Sequence, residues 1–203
     1  MTTAQVVAKI ARGEVISAIK HTHIRNLHSL VLEERKDELA GMTRIYFADE
    51  GHGMKSLIKY GEFVLMPHCH RQDITLHKLF GEVGNVKFYS PIGSINACQY
   101  VFNSPILGGV GELKMQFSDR IGFPLVTDME DQVIELPYHA IHSMVVDSPT
   151  AAWIVREGQT APSGYNPPCW SMKPDRVLDM TGMYQPATRD EIDDMCRRII
   201  HAI

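Results

Sequence analysis

From Ser56 onward the chain repeats one pattern, a short apolar run followed by a turn built from glycine, proline or aspartate. Glu62–Met66 runs into Pro67, Thr75–Phe80 stops at Gly81, and Asn85–Tyr89 stops at Ser90-Pro91. Met115–Phe117, Gln132–Leu136, Ser143–Val146 and Ala151–Val155 continue the series. Short runs at such spacing, punctuated by Gly, Pro and Asp, read as strands and argue for an antiparallel sandwich or barrel. Two earlier strands, His28–Glu33 and Thr43–Ala48, flank a charged turn at Glu34-Arg35-Lys36-Asp37-Glu38, and the 49–53 stretch (Asp-Glu-Gly-His-Gly) reads as loop.

Helical periodicity is confined to the two ends. Val6, Val7, Ile10, Val15 and Ile19 mark one stripe over Ala4–Ile19, interrupted by Gly13. Thr188-Arg189-Asp190-Glu191 has the spacing of a capping box and opens a helix from Thr188 to Ala202, with Ile192, Met195, Ile199 and Ile200 on one face. Ile92–Gly111, rich in Gly, Ser, Asn and Pro, reads as an insertion or long loop able to cover a barrel mouth. After Gly158 the chain reads as Pro/Gly-rich coil up to the last helix. The expectation is one mainly β domain over residues 1–203, with a core at about 28–158 and a C-terminal coil and helix at 159–203.

Composition removes several function classes. A net charge of −4 with no basic run argues against nucleic-acid binding by phosphate neutralisation. No apolar stretch is long enough to span a bilayer, and the first residues lack the basic and apolar regions of a signal peptide. Four scattered cysteines without a Cys-x-x-Cys pair fit reduced thiols in a cytoplasm.

The chemistry concentrates in Pro67-His68-Cys69-His70 and in Pro137-Tyr138-His139-Ala140-Ile141-His142. Successive side chains of a strand face opposite ways, so His68 and His70 share a face and Cys69 points away as a buried free thiol. A third imidazole from another strand would complete a facial set of nitrogen ligands for a divalent metal, with open positions for a substrate.

These segments resemble the cupin family. Its first motif, His-x-His followed by a glutamate and a strand closing in glycine, is similar to His68–Val83; its second, a proline, a short turn and a histidine entering a strand, is similar to Ile134–Ser143. The resemblance covers roughly residues 62–158. It implies a single cupin-type antiparallel β-barrel, or jelly roll, with N- and C-terminal helices, and His68, His70 and His142 as metal ligands. The family's glutamate position falls on Ile74, with Asp73 beside it facing the other way unless a bulge intervenes. A three-histidine set suits iron first, with zinc, nickel or manganese as alternatives, and three-histidine cupins include thiol dioxygenases.

Around this centre, His77, His139 and Tyr138 are candidate catalytic groups, and Lys78 and Arg156 are candidate anion-binding groups. If Ile74 and Leu76 face inward, so does Lys78; if the parity slips, His77 becomes a fourth ligand. His77 also reads as a surface or outer-layer residue, His139 and Tyr138 as a solvated turn, and Arg156 as half of a surface ion pair. The function expected is a metal-dependent enzyme, a non-haem iron dioxygenase acting on a small thiol or acidic substrate. The alternatives are a sugar or sugar-phosphate isomerase or epimerase, and a non-catalytic small-molecule-binding barrel. A homodimer that covers an exposed sheet edge completes the expectation.

Overall fold

The computed structural model describes residues 1–21, 26–34, 42–49, 67–88, 95–103, 112–122, 124–128, 133–171 and 184–203. The chain is mainly β, with antiparallel sheets and two helices, α1 (Thr3–Ala11) and α2 (Arg189–Ala202). The largest sheet holds seven strands, in the order β13 (Tyr184–Pro186), β1 (Ser17–His21), β2 (Leu27–Glu33), β3 (Thr43–Ala48), β11 (Ala151–Thr160), β4 (Gln72–Phe80) and β9 (Val133–Leu136). Two three-stranded sheets accompany it. One is ordered β10 (His142–Val146), β5 (Val83–Phe88), β8 (Pro124–Asp128); the other is ordered β12 (Pro168–Ser171), β6 (Ile95–Asn103), β7 (Glu112–Ile121).

His68 joins the two smaller sheets. It bridges His142 on one side and Cys169 on the other. The backbone N–H groups of His68 and His142 donate to each other's carbonyl oxygens at 2.9 and 3.0 Å, while Cys69 N–H donates to Pro168 O and Trp170 N–H to Pro67 O. Among the described residues the strands are divided between these sheets and not closed into the single barrel expected.

Strand alternation divides the buried residues of the large sheet between two clusters, one on each face. Ile74, Leu76, Met144, Val146, Trp153 and Val155 meet between the seven-stranded sheet and the β10 sheet, forming the core that surrounds the site. The outer face of the large sheet carries Leu30, Leu32, Ile45, Phe47 and Ile154, and both helices pack there through Val6, Ile10, Ile192, Met195 and Ile199. The two helices thus share one face of the large sheet. The capping box at Thr188 forms as expected: Glu191 N–H donates to Thr188 Oγ1 at 3.3 Å, and Thr188 N–H donates to Glu191 Oε2 at 2.7 Å.

Three sequence expectations are corrected. The helix expected over Ala4–Ile19 ends at Ala11, and Ser17–His21 becomes β1 because its backbone pairs with β2 and β13. The expected loop at Ile92–Gly111 contains β6, nine residues paired along their length with β7. The expected coil after Gly158 contains the end of β11 and the strands β12 and β13. The expected strand at Glu62–Met66 lies outside the described residues, as do most of the 34–38 turn and the 49–53 loop.

Candidate metal centre

His68 and His70 come from the connecting segment and His142 from the first position of β10, which the backbone pairing with His68 sets beside them. One ligand atom from each of the three rings lies within 4.8 Å of the other two. His70 Nε2 and His142 Nε2 are 2.7 Å apart. On the far side of the His142 ring, Nδ1 lies 2.8 Å from Asn85 Oδ1. That oxygen can only accept, so Nδ1 carries the proton and Nε2 keeps its lone pair facing the cluster. Asn85, opposite Met144 on β5, is fully buried. A neighbour that fixes a ring's tautomer and angle in this way is the usual outer layer of a metal site.

The electrostatics agree with a ligand role. Burial holds both His70 and His142 well below the ordinary imidazole value, and the charges of neighbouring rings push the same way. Both rings are therefore neutral at neutral pH, as nitrogen ligands must be. In chain stripped of metal, the sign of the pH dependence follows. Below about pH 6.5 the unfolded chain takes up protons that the folded chain refuses, so stability is complete above that value and is lost as pH falls. Thermal melts in chelator between about pH 7.5 and about pH 5 are expected to show a falling midpoint on acidification.

The three rings line a cavity of about 80 Å³ between the sheets. Ile74, Leu76, Met144, Trp153 and Val155 form apolar walls, with Trp153 stacked on Tyr46 at 5.5 Å between ring centroids. Arg44 and Glu157 form a polar end, Arg44 Nη2 donating to Glu157 Oε1 at 2.9 Å. Burial raises the Glu157 carboxyl above the usual carboxylate range, while Arg44 and the Met42 amide pull it down.

The other sequence candidates fall elsewhere. Ile74 faces the cavity, as expected for the glutamate position, and Asp73 faces away, its Oδ1 accepting the Tyr138 N–H at 2.7 Å. His77 pairs with Ile154 on the helix-covered face. Lys78 pairs with Trp153 and so has the inward parity, yet it is not among the residues that line the cavity. Arg156 has the parity opposite to Val155 and Glu157. Tyr138 and His139 occupy the turn before β10, clipped to the ligand segment by His70 N–H to Tyr138 O and Cys69 Sγ–H to His139 O. The buried Cys69 thiol points away from the rings into a separate apolar cluster with Val86, Val145 and Trp170, and burial lifts it to about 11. Sequence reasoning missed Asn85, Arg44 and Glu157; the available signal for Glu157 was its parity with Val155.

No family model matches the sequence, and no curated protein matches it. Among solved structures, the chain is similar to the Fe(II) form of HppE at 11% identity and a TM-score of 0.38, over 70% of this chain and 57% of that one. The polyketide cyclase RemF from Streptomyces resistomycificus is similar at 13% identity and a TM-score of 0.38, over 74% and 79% of the two chains. Rru_A2000 from Rhodospirillum rubrum, a cupin-2 domain, is similar at 10% identity and a TM-score of 0.34, over 70% and 67%. The chain spans little more than half the length of HppE. At such identities and scores, the functional reading rests on the residues of the site itself.

No described helix is long and apolar enough to cross a membrane.

Proposed function

We propose that this chain is a metal-dependent enzyme of cupin type in which His68, His70 and His142 hold one divalent ion, iron in first place. The observation that carries the reading is the convergence of three imidazoles from two segments in one cavity, with the outer nitrogen of His142 tied to Asn85. A divalent ion bound there would supply dioxygen activation or carbonyl polarisation. The chain's own contributions are distinct. Asn85 orients His142, the walls from Ile74 to Val155 exclude water, and Arg44 with Glu157 offers the cavity's polar contacts.

Within this reading the reaction is a non-haem iron dioxygenation of a small thiol or acid, carried out by a single-domain chain that pairs as a homodimer in a cytoplasm. A second reading, isomerisation of a sugar or sugar phosphate, is favoured by Glu157, a carboxyl in the cavity whose burial makes it a better proton acceptor than an exposed one.

The test uses untagged protein reconstituted anaerobically with ferrous iron. About one iron per chain and oxygen uptake with a panel of small thiols and acids are expected. Failure to retain iron, zinc, nickel or manganese overturns the metal reading. Metal retention with oxygen-independent isomerisation moves the assignment to the second reading.

A further inference from the structure

The charged residues lining the cavity, Arg44 and Glu157, have already neutralised each other through a contact of 2.9 Å. Each has an atom left over. Arg44 Nε and Glu157 Oε2 are buried and make no hydrogen bond. The first is a donor in need of an acceptor, and the second is an acceptor in need of a donor. Leaving both desolvated and unpaired is costly, so the pair is set up to receive a group that supplies both roles at once.

A hydroxyl meets that demand, accepting from Nε and donating to Oε2; so does a carboxamide. A carboxylate or phosphate does not, because it has no proton for Oε2 and meets the Glu157 charge at close range. The placement suits a substrate contact. Glu157 sits directly across from Ile74 and Arg44 directly across from Val155, all facing the chamber that the three histidines line. At ~10–15 Å³ per water-sized group, a cavity of about 80 Å³ takes a ligand of roughly five to eight such groups.

We propose that the Arg44–Glu157 pair is a substrate subsite that takes a neutral hydroxyl or carboxamide group, in a molecule whose other end lies at the three histidines. The proposal rests on the metal-centre reading for that other end. It narrows the substrate from acids in general to small molecules carrying a hydroxyl or amide.

The test uses the cobalt-loaded full chain and three probes that differ at one substituent: 4-methylimidazole, 4-(hydroxymethyl)imidazole and imidazole-4-carboxylate. Affinities are read from the cobalt absorption bands. The hydroxymethyl probe is expected to bind at least about tenfold tighter than the methyl probe, the gain of hydrogen bonds to charged partners. Glu157→Gln leaves the Arg44 charge uncompensated, and the carboxylate probe is then expected to gain about tenfold relative to the hydroxymethyl probe. Lys78→Ala is expected to leave both ratios unchanged.

Equal binding of the methyl and hydroxymethyl probes by the wild-type chain overturns the proposal without recourse to any variant. So does a loss of cobalt in Glu157→Gln, which would make the carboxylate a metal ligand. If the wild-type chain takes up no cobalt, the metal reading fails separately. Ligand-observed NMR of the same three probes on the metal-free chain then decides the subsite by the same order of affinities.

Discussion

Replacing His142 with alanine is expected to abolish metal binding and, with it, activity. His142 stands at the junction of everything that builds the site. Its backbone pairs with His68, its Nε2 faces His70, and its Nδ1 occupies Asn85. The variant removes a ligand and leaves a fully buried amide with no partner for its oxygen. An unsatisfied buried acceptor costs about 1–3 kcal/mol, which at ~2–4 °C per kcal/mol for a chain of this size lowers the melting midpoint visibly. Elemental analysis and a thermal melt on the same sample check both effects. Asn85→Ala is expected to be milder, weakening metal affinity by about 10–100-fold while leaving the three nitrogens in place.

Gly81→Ala is expected to be the most damaging small change in the framework, at about 3 kcal/mol or more. Gly81 ends β4 with φ of +81°, where an L side chain is strained. A Cβ there would lie 2.5 Å from Thr150 O and 2.6 Å from Ala151 Cβ, against the start of β11. Neither is the far end of a flexible side chain, so the strand itself must shift, and β11 carries Trp153, Val155 and Glu157 to the site. Gly164 supplies the contrast, with φ of +85° and nothing within 4 Å of its added Cβ. Gly164→Ala is therefore expected to cost about 1 kcal/mol, the conformational part alone. Urea unfolding of the two variants side by side measures the difference.

The three-histidine cluster was legible in the sequence because it depends on parity, and parity is local. Read as strand neighbours, His68 and His70 share a face and Cys69 leaves it, while His142 came from the cupin resemblance of Ile134–Ser143, just ahead of the strand expected at Ser143–Val146. Strands such as β4 and β10 were legible for the same reason, since an alternating or fully apolar run ends at a glycine or aspartate. β6 was not. Ile-Asn-Ala-Cys-Gln-Tyr-Val-Phe-Asn mixes small and polar residues in no clear alternation, and its identity as a strand comes from pairing with β7 and β12. The stretch Ser17–His21 misled because Val15 and Ile19 continue the stripe of α1, while the backbone bonds of β2 and β13 decide otherwise. Asn85, Arg44 and Glu157 lie beyond sequence reading for a related reason. Their roles depend on which residue sits opposite in a neighbouring strand, and that register is set across more than a hundred residues of chain in the case of Arg44 and Glu157.

The seam between the two smaller sheets runs through Pro67–His70, with His68 bridging both sides, and its consequence reaches past the fold. Along it the side chains read imidazole, thiol, imidazole, with the nitrogens turned inward and the sulfur outward. A slip of one residue would turn every side chain over, bringing Cys69 in and sending both imidazoles out. The pocket would then pair a thiolate with His142, a donor set that favours softer ions such as copper(I) over the harder ions that three imidazoles suit. Under the metal reading proposed above, the preferred ion is thus set by register as much as by composition, and a single inserted or deleted residue is enough to change it.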